Sequence, residues 1–91
     1  MTRKAAGAPG VLAAIASVNQ ALGLYAKAGE FCAEALARLE KMERPNQATL
    51  ATVLTGAGNA AWGLGDYKKA MDFHNRALTI WKALADAAPS D

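Results

Sequence analysis

Residues Gly65 to Ile80 read G-D-Y-K-K-A-M-D-F-H-N-R-A-L-T-I, and the spacing of their apolar members decides the fold class. Gly65 can take the positive φ that a tight helix-to-helix turn often needs. Asp66 is placed to accept a hydrogen bond from an orphan backbone N–H of the helix that follows. Beyond it Tyr67, Ala70, Met71, His74, Ala77, Leu78 and Trp81 recur at intervals of three and four, the apolar stripe of an α-helix. Phe73, Ile80 and Leu84 widen that stripe on one side. Ala70 and Ala77 are small where a neighbouring helix can come close, and Lys68, Lys69, Asp72, Asn75, Arg76 and Lys82 take most of the remaining surface. A helix from Asp66 to about Ala87 is expected, with Pro89 beyond its end.

Three more helices are expected upstream. Asn46 is placed to cap the third, with Leu50, Val53, Leu54, Ala57, Ala61 and Leu64 on its inner face and Gly63 and Gly65 at its end. Gly56 and Gly58 each weaken that helix by about 1 kcal/mol relative to alanine, a cost that close approach of a neighbour would explain. Pro9 fits the first turn of helix one, where its missing N–H does no harm. The apolar face of helix one would be Val11 or Leu12, Ile15, Val18, Leu22 and Tyr25, with Gly29 ending it. Glu30 then opens helix two, which buries Phe31, Ala35, Leu36, Leu39 and Met42 and stops near Glu43, because Arg44 precedes Pro45. In this reading Ala28-Gly29-Glu30-Phe31 matches Leu64-Gly65-Asp66-Tyr67, 36 residues further on, and Arg44-Pro45 and Ala88-Pro89 mark outgoing turns 44 apart. The expected class is all-α: four antiparallel helices in two hairpins, a short α-solenoid. The domain would span residues 9–88, as repeats 9–44 and 46–88, between a loose tail at 1–8 and a C-terminal tail at 89–91.

Composition removes several functions. Ninety-one residues make one small domain, and much of its 53% hydrophobic content is alanine, which favours helix but buries little area. The net charge of +2 is spread along the chain rather than gathered on one face, so nucleic acid is not an expected partner. No run approaches the roughly 18 apolar residues of a membrane span. The basic start Met1-Thr2-Arg3-Lys4 loosely imitates a signal peptide, but Pro9-Gly10 interrupts the apolar stretch that follows. Cys32 is the single cysteine, so no intrachain disulfide can form, which fits a reducing compartment and an expected cytoplasmic location. His74, the single histidine, lies on the apolar stripe with no catalytic partner in view, and packing is its expected role. One cysteine and one histidine cannot furnish a zinc site. The Gly-x-Gly pairs at Gly56 and Gly63 follow no strand and do not make a phosphate loop. No catalytic residue, metal ligand or cofactor is expected.

The second hairpin resembles a tetratricopeptide repeat (TPR). Gly58-Asn59-Ala60 is similar to the family's close-contact segment, and Gly65, Asp66, Tyr67, Ala70, Phe73, Ala77 and Leu78 fill its next characteristic positions. The form A-x-x-F-H-x-x-A-L-x-I, followed by a long helix, is most similar to the extended repeats of about 42 residues found in kinesin light chains. Ala61 departs from the pattern, standing where the family often has a bulky aromatic that Trp62 partly replaces. The first hairpin matches through Tyr25, Gly29 and Phe31, but Glu34 falls where a small alanine belongs, so the first repeat reads as degenerate.

The resemblance implies a non-catalytic scaffold that binds a peptide or helix of a partner protein in a groove lined by the first helices of its hairpins. Asn19, Thr52, Thr55 and Asn59 are the candidate groove-lining residues. Some members grip a terminal carboxylate with lysines on these helices. Those lysines are absent here, and chaperone-tail binding is not expected. The alternative is a structural bundle that self-associates, or a piece of a longer array, with no peptide groove in use. Phe73, Ile80, Trp81 and Leu84 of the last helix would form its assembly surface. The expected partners are thus another protein or peptide, or a second copy of the chain, with no nucleic acid and no membrane.

Overall fold

A computed structural model describes residues 7–88. The tails expected at 1–8 and 89–91 fall largely outside the described residues. Within them the chain forms α1 (Pro9–Ala21), α2 (Tyr25–Glu40), α3 (Gln47–Gly63) and α4 (Tyr67–Ala87), and every described element is helical. Helix α1 packs on α2, α2 on α3 and α3 on α4, and α1 also touches α3. These are two helical hairpins stacked side by side, all-α as the periodicity requires.

The second hairpin follows its sequence closely. The Asn46 side chain accepts the Thr49 N–H at 2.9 Å and starts α3. The Asp66 carboxylate accepts the Lys69 N–H at 3.2 Å and starts α4. Between them Gly65 takes φ +82°. The Gly65 N–H donates to Trp62 O and the Asp66 N–H to Ala61 O, which satisfies the last carbonyls of α3.

The first hairpin corrects the expected boundaries. Its turn lies at Gly23, not Gly29. Gly23 has φ +79°, its N–H donates to Gln20 O, and the Leu24 N–H donates to Asn19 O. This is the Gly65 turn repeated 42 residues earlier. Gly29 stays inside α2 on the side of Ala60, where a Cβ would meet that methyl at an ordinary contact distance of 3.8 Å. It does not terminate a helix. Helix α2 also ends earlier than Pro45 requires, at Glu40, with the Met42 N–H closing back on Leu39 O.

With Gly23 aligned to Gly65, the small-residue positions of the first repeat fall into line, and the mismatch at Glu34 is removed. Leu22-Gly23-Leu24-Tyr25 lies over Leu64-Gly65-Asp66-Tyr67. Ala28, Phe31, Ala35 and Leu36 lie over Ala70, Phe73, Ala77 and Leu78. The four alanines are all buried, so at each equivalent position the absence of bulk lets the partner helix close in. Leu39, Leu54, Val53 and Cys32 are the largest fully buried side chains, and among the described residues no buried polar side chain lacks a partner.

Two expected faces are also corrected. Helix α1 buries Leu12 and Ala16, whereas Val11, Ile15, Val18 and Leu22 are exposed. In α2 Ala35, Leu36 and Leu39 are buried as expected, but Phe31 is half-buried and Met42 exposed. Leu64, expected on the inner face of α3, is exposed as well. Met42 and Leu64 lie just past their helix ends, where the chain turns away from the core.

Candidate functional site

Helices α1 and α3, the first of each hairpin, border a concave pocket of about 300 Å³. Helix α1 contributes Ala13, Ser17 and Gln20. Helix α3 contributes Thr52, Thr55, Gly56 and Asn59, and Trp81 of α4 closes one end. The Thr52 hydroxyl donates to Ala48 O and the Thr55 hydroxyl to Ala51 O, both at 2.8 Å. Each hydroxyl thus uses its proton within the helix and presents its oxygen as an acceptor. The lining is neutral: hydroxyls, amides, small apolar groups and one indole.

Three of the four residues expected in the groove, Thr52, Thr55 and Asn59, line this pocket together. Asn19 does not. Its Nδ2 donates to Ile15 O at 2.9 Å along its own helix. The 42-residue register explains the difference. Asn19 is the counterpart of Ala61, and Ser17 is the counterpart of Asn59. Ser17 and Gln20 were missed because the first hairpin was read six residues out of phase.

Cys32 lies at the pocket floor, with its Sγ 3.2 Å from where a Cβ on Gly56 would stand. Burial pushes its thiol above the ordinary value of 9.0, so the nucleophilic thiolate is disfavoured. His74 packs edge-on to Gly58, whose absent Cβ would sit 2.7 Å from the imidazole. That contact draws α3 and α4 together. Among the described residues no three His, Cys, Asp or Glu side chains gather as metal ligands do.

Because α2 and α4 do not touch, they leave a second furrow of about 370 Å³, floored by Ala57, Ala60 and Ala61 of α3. Gly29, Leu36 and Phe73 form apolar walls, with Glu30, Asp66 and Lys69 also at its edge. Nothing in the sequence reading anticipated it, since it arises from two helices that do not meet.

The four residues expected to form an assembly surface do not share one exposure. Phe73 and Ile80 are half-buried against the core, and Leu84 is half-buried. Only Trp81 is open, at 41%. The apolar flank that α4 exposes is instead Tyr67 (55%), Met71 (62%) and Leu78 (56%), continuous with Trp81. Trp62, also exposed, meets Tyr67 edge to face with ring centroids 4.5 Å apart.

Stacked helical hairpins repeating every 42 residues, with a glycine turn and paired small residues in each, define a helical-repeat protein. The tetratricopeptide repeat family model matches residues 10–83, and the chain belongs to that family. Its members are in general protein–protein interaction modules, and that class extends to this chain. No curated protein and no solved structure matches the chain. No described helix is long and apolar enough to cross a membrane.

Proposed function

We propose that the chain is a non-catalytic protein-binding module that receives an extended peptide or a helix of a partner protein in the pocket between α1 and α3. The observation that carries this reading is the neutral, hydrogen-bonding lining formed by Ser17, Gln20, Thr52, Thr55 and Asn59 around Trp81. Amide and hydroxyl groups suit the backbone of a bound segment. The indole and alanine surfaces suit a small apolar side chain. Among the described residues no lysine or arginine lines the pocket, which argues against capture of a carboxylate terminus. Absence of catalysis in this reading is supported by Cys32, held as a neutral thiol, and by His74, packed against glycine. The lone cysteine supports a reducing, cytoplasmic setting.

The test is selection of peptides on the full chain, followed by titration of the selected peptide with Trp fluorescence as readout. Thr52→Arg combined with Asn59→Lys is expected to weaken binding by at least about tenfold, or 1.4 kcal/mol, with the helical circular dichroism unchanged. Binding that survives both changes would move the site out of this pocket. A second reading, self-association, is favoured by the exposed apolar faces of α1 and α4.

A further inference from the structure

The internal repeat states what covers the open face of α4. Tyr67, Met71, His74, Leu78 and Trp81 are the counterparts of Tyr25, Gly29, Cys32, Leu36 and Leu39. In α2 that face lies under α3: Gly63 meets the Tyr25 ring, Ala60 meets Gly29, and Gly56 meets Cys32. Leu36 and Leu39 are 9% and 2% exposed there. On α4 no described helix occupies the equivalent position, because α4 packs on α3 alone.

The opposite end of the molecule carries the complementary face. Val53, Gly56, Ala57, Ala60 and Gly63 of α3 correspond to Val11, Ala14, Ile15, Val18 and Ala21 of α1. Val11, Ile15 and Val18 are 39%, 36% and 60% exposed, and Ala14 and Ala21 are exposed too. Helix α1 contains no charged residue, which is unusual for a helix with an open side. On the α4 face the single titratable group besides the Tyr67 phenol is His74, so joining the two faces desolvates little charge.

The geometry points to a head-to-tail contact between two copies of this chain, in which α1 of one copy packs across α4 of the other as α3 packs across α2 within each. This inference rests on the self-association reading and shares only Trp81 with the α1–α3 pocket. Both faces carry larger side chains than their internal counterparts: Ile15 for Ala57, Val18 for Ala60, Met71 for Gly29, Trp81 for Leu39. The joined helices therefore stand further apart than α2 and α3 do, since side-chain size sets interaxial distance. Such a contact uses different surfaces on the two copies. It is not two-fold symmetric, so a dimer still leaves one α4 face and one α1 face open for a further copy.

Light scattering with size separation, across a concentration series of the full chain, tests it in combination with two blocking variants. Val18→Asp closes the α1 face and Leu78→Asp the α4 face. Both positions are exposed, so folding is retained, and Ile15→Glu and Met71→Glu repeat the two blocks at other sites. The wild-type chain is expected to grow beyond a dimer as concentration rises. Each variant alone is expected to be monomeric, and an equal mixture of the two is expected to form a 1:1 dimer through the one intact pair of faces. If Val18→Asp still dimerises, Leu78→Asp does not and mixing adds nothing, the contact is α4 against α4: self-association stands and the head-to-tail geometry falls. A wild-type chain that stays monomeric throughout overturns both.

Discussion

Helices α2 and α4 carry the same pattern, Tyr-x-x-Ala-x-x-Phe-x-x-x-Ala-Leu, and meet different fates. Ala28 and Ala70, and Ala35 and Ala77, are buried alike, because each pair faces the first helix of its own hairpin. The other flank diverges. Cys32, Leu36 and Leu39 lie in the core under α3, while Met71, Leu78 and Trp81 look outward. The motif thus encodes two interfaces, one within the hairpin and one toward the next. Burial at the second depends on the neighbour rather than on the residue.

The comparison is broken most directly at its equivalent leucines. Leu36→Ala should lower unfolding free energy by about 2 to 4 kcal/mol, through lost burial and a cavity. Leu78→Ala should change it by no more than about 0.5 kcal/mol. Urea denaturation of both variants at a concentration where the chain is monomeric would check this. Equal losses would mean that α4 is covered as α2 is.

A smaller effect sharpens the close contacts. Repeat one pairs Ala16 with Cys32 at the positions where repeat two pairs Gly58 with His74. The larger ring stands opposite the smaller residue. Gly58→Ala gains about 1 kcal/mol of helix propensity but places a Cβ 2.7 Å from the imidazole. The clash costs about 1 to 3 kcal/mol, so the net change is expected to be destabilising. In a His74→Cys background the same substitution should turn stabilising, since only the propensity gain remains. Thermal melts of the four proteins measure the sign reversal. A stabilising Gly58→Ala in the wild-type chain would show that the ring swings aside without cost.

The smallest expected effect concerns the helix starts. Asn46 and Asp66 cap α3 and α4, whereas Ala8 and Leu24 give α1 and α2 no side-chain bond. Leu24 already has the backbone of a cap, with φ −90° and ψ 67° against −89° and 77° at Asp66. Leu24→Asp should therefore stabilise by about 0.5 to 1 kcal/mol, and Asn46→Ala should cost about 1 kcal/mol. Both are readable as shifts in the urea midpoint.

The second hairpin was legible because its signals agree. A cap residue, a terminal glycine and an apolar stripe all mark the same boundaries at Asn46, Gly65 and Asp66. In the first hairpin two glycines compete. Gly23 turns the chain and Gly29 sits inside α2, and composition alone does not separate a glycine needed for φ from one carried within a helix. The face of α1 was misread for a related reason. A helix of Ala, Val, Ile and Leu without charge is apolar on nearly every side, so periodicity does not say which side is inward. The pocket inherited both outcomes. Thr52, Thr55 and Asn59 line the pocket with α3, and Asn19 falls outside it with the phase of α1. On α4 the sequence points to an open apolar flank and to Trp81 within it, but a stripe that is apolar on both sides does not tell Tyr67, Met71 and Leu78 from the half-buried Phe73, Ile80 and Leu84.

The sparse pattern of helix contacts also sets an order of events in time. Helix α3 touches the other three, whereas α4 touches α3 alone. Detaching α4 leaves α1, α2 and α3 with their mutual contacts intact, whereas withdrawing α3 strands α4 and leaves only the α1–α2 hairpin. Opening therefore spreads inward from α4, and the molecule behaves as a short line of couplings with its keystone third from the start.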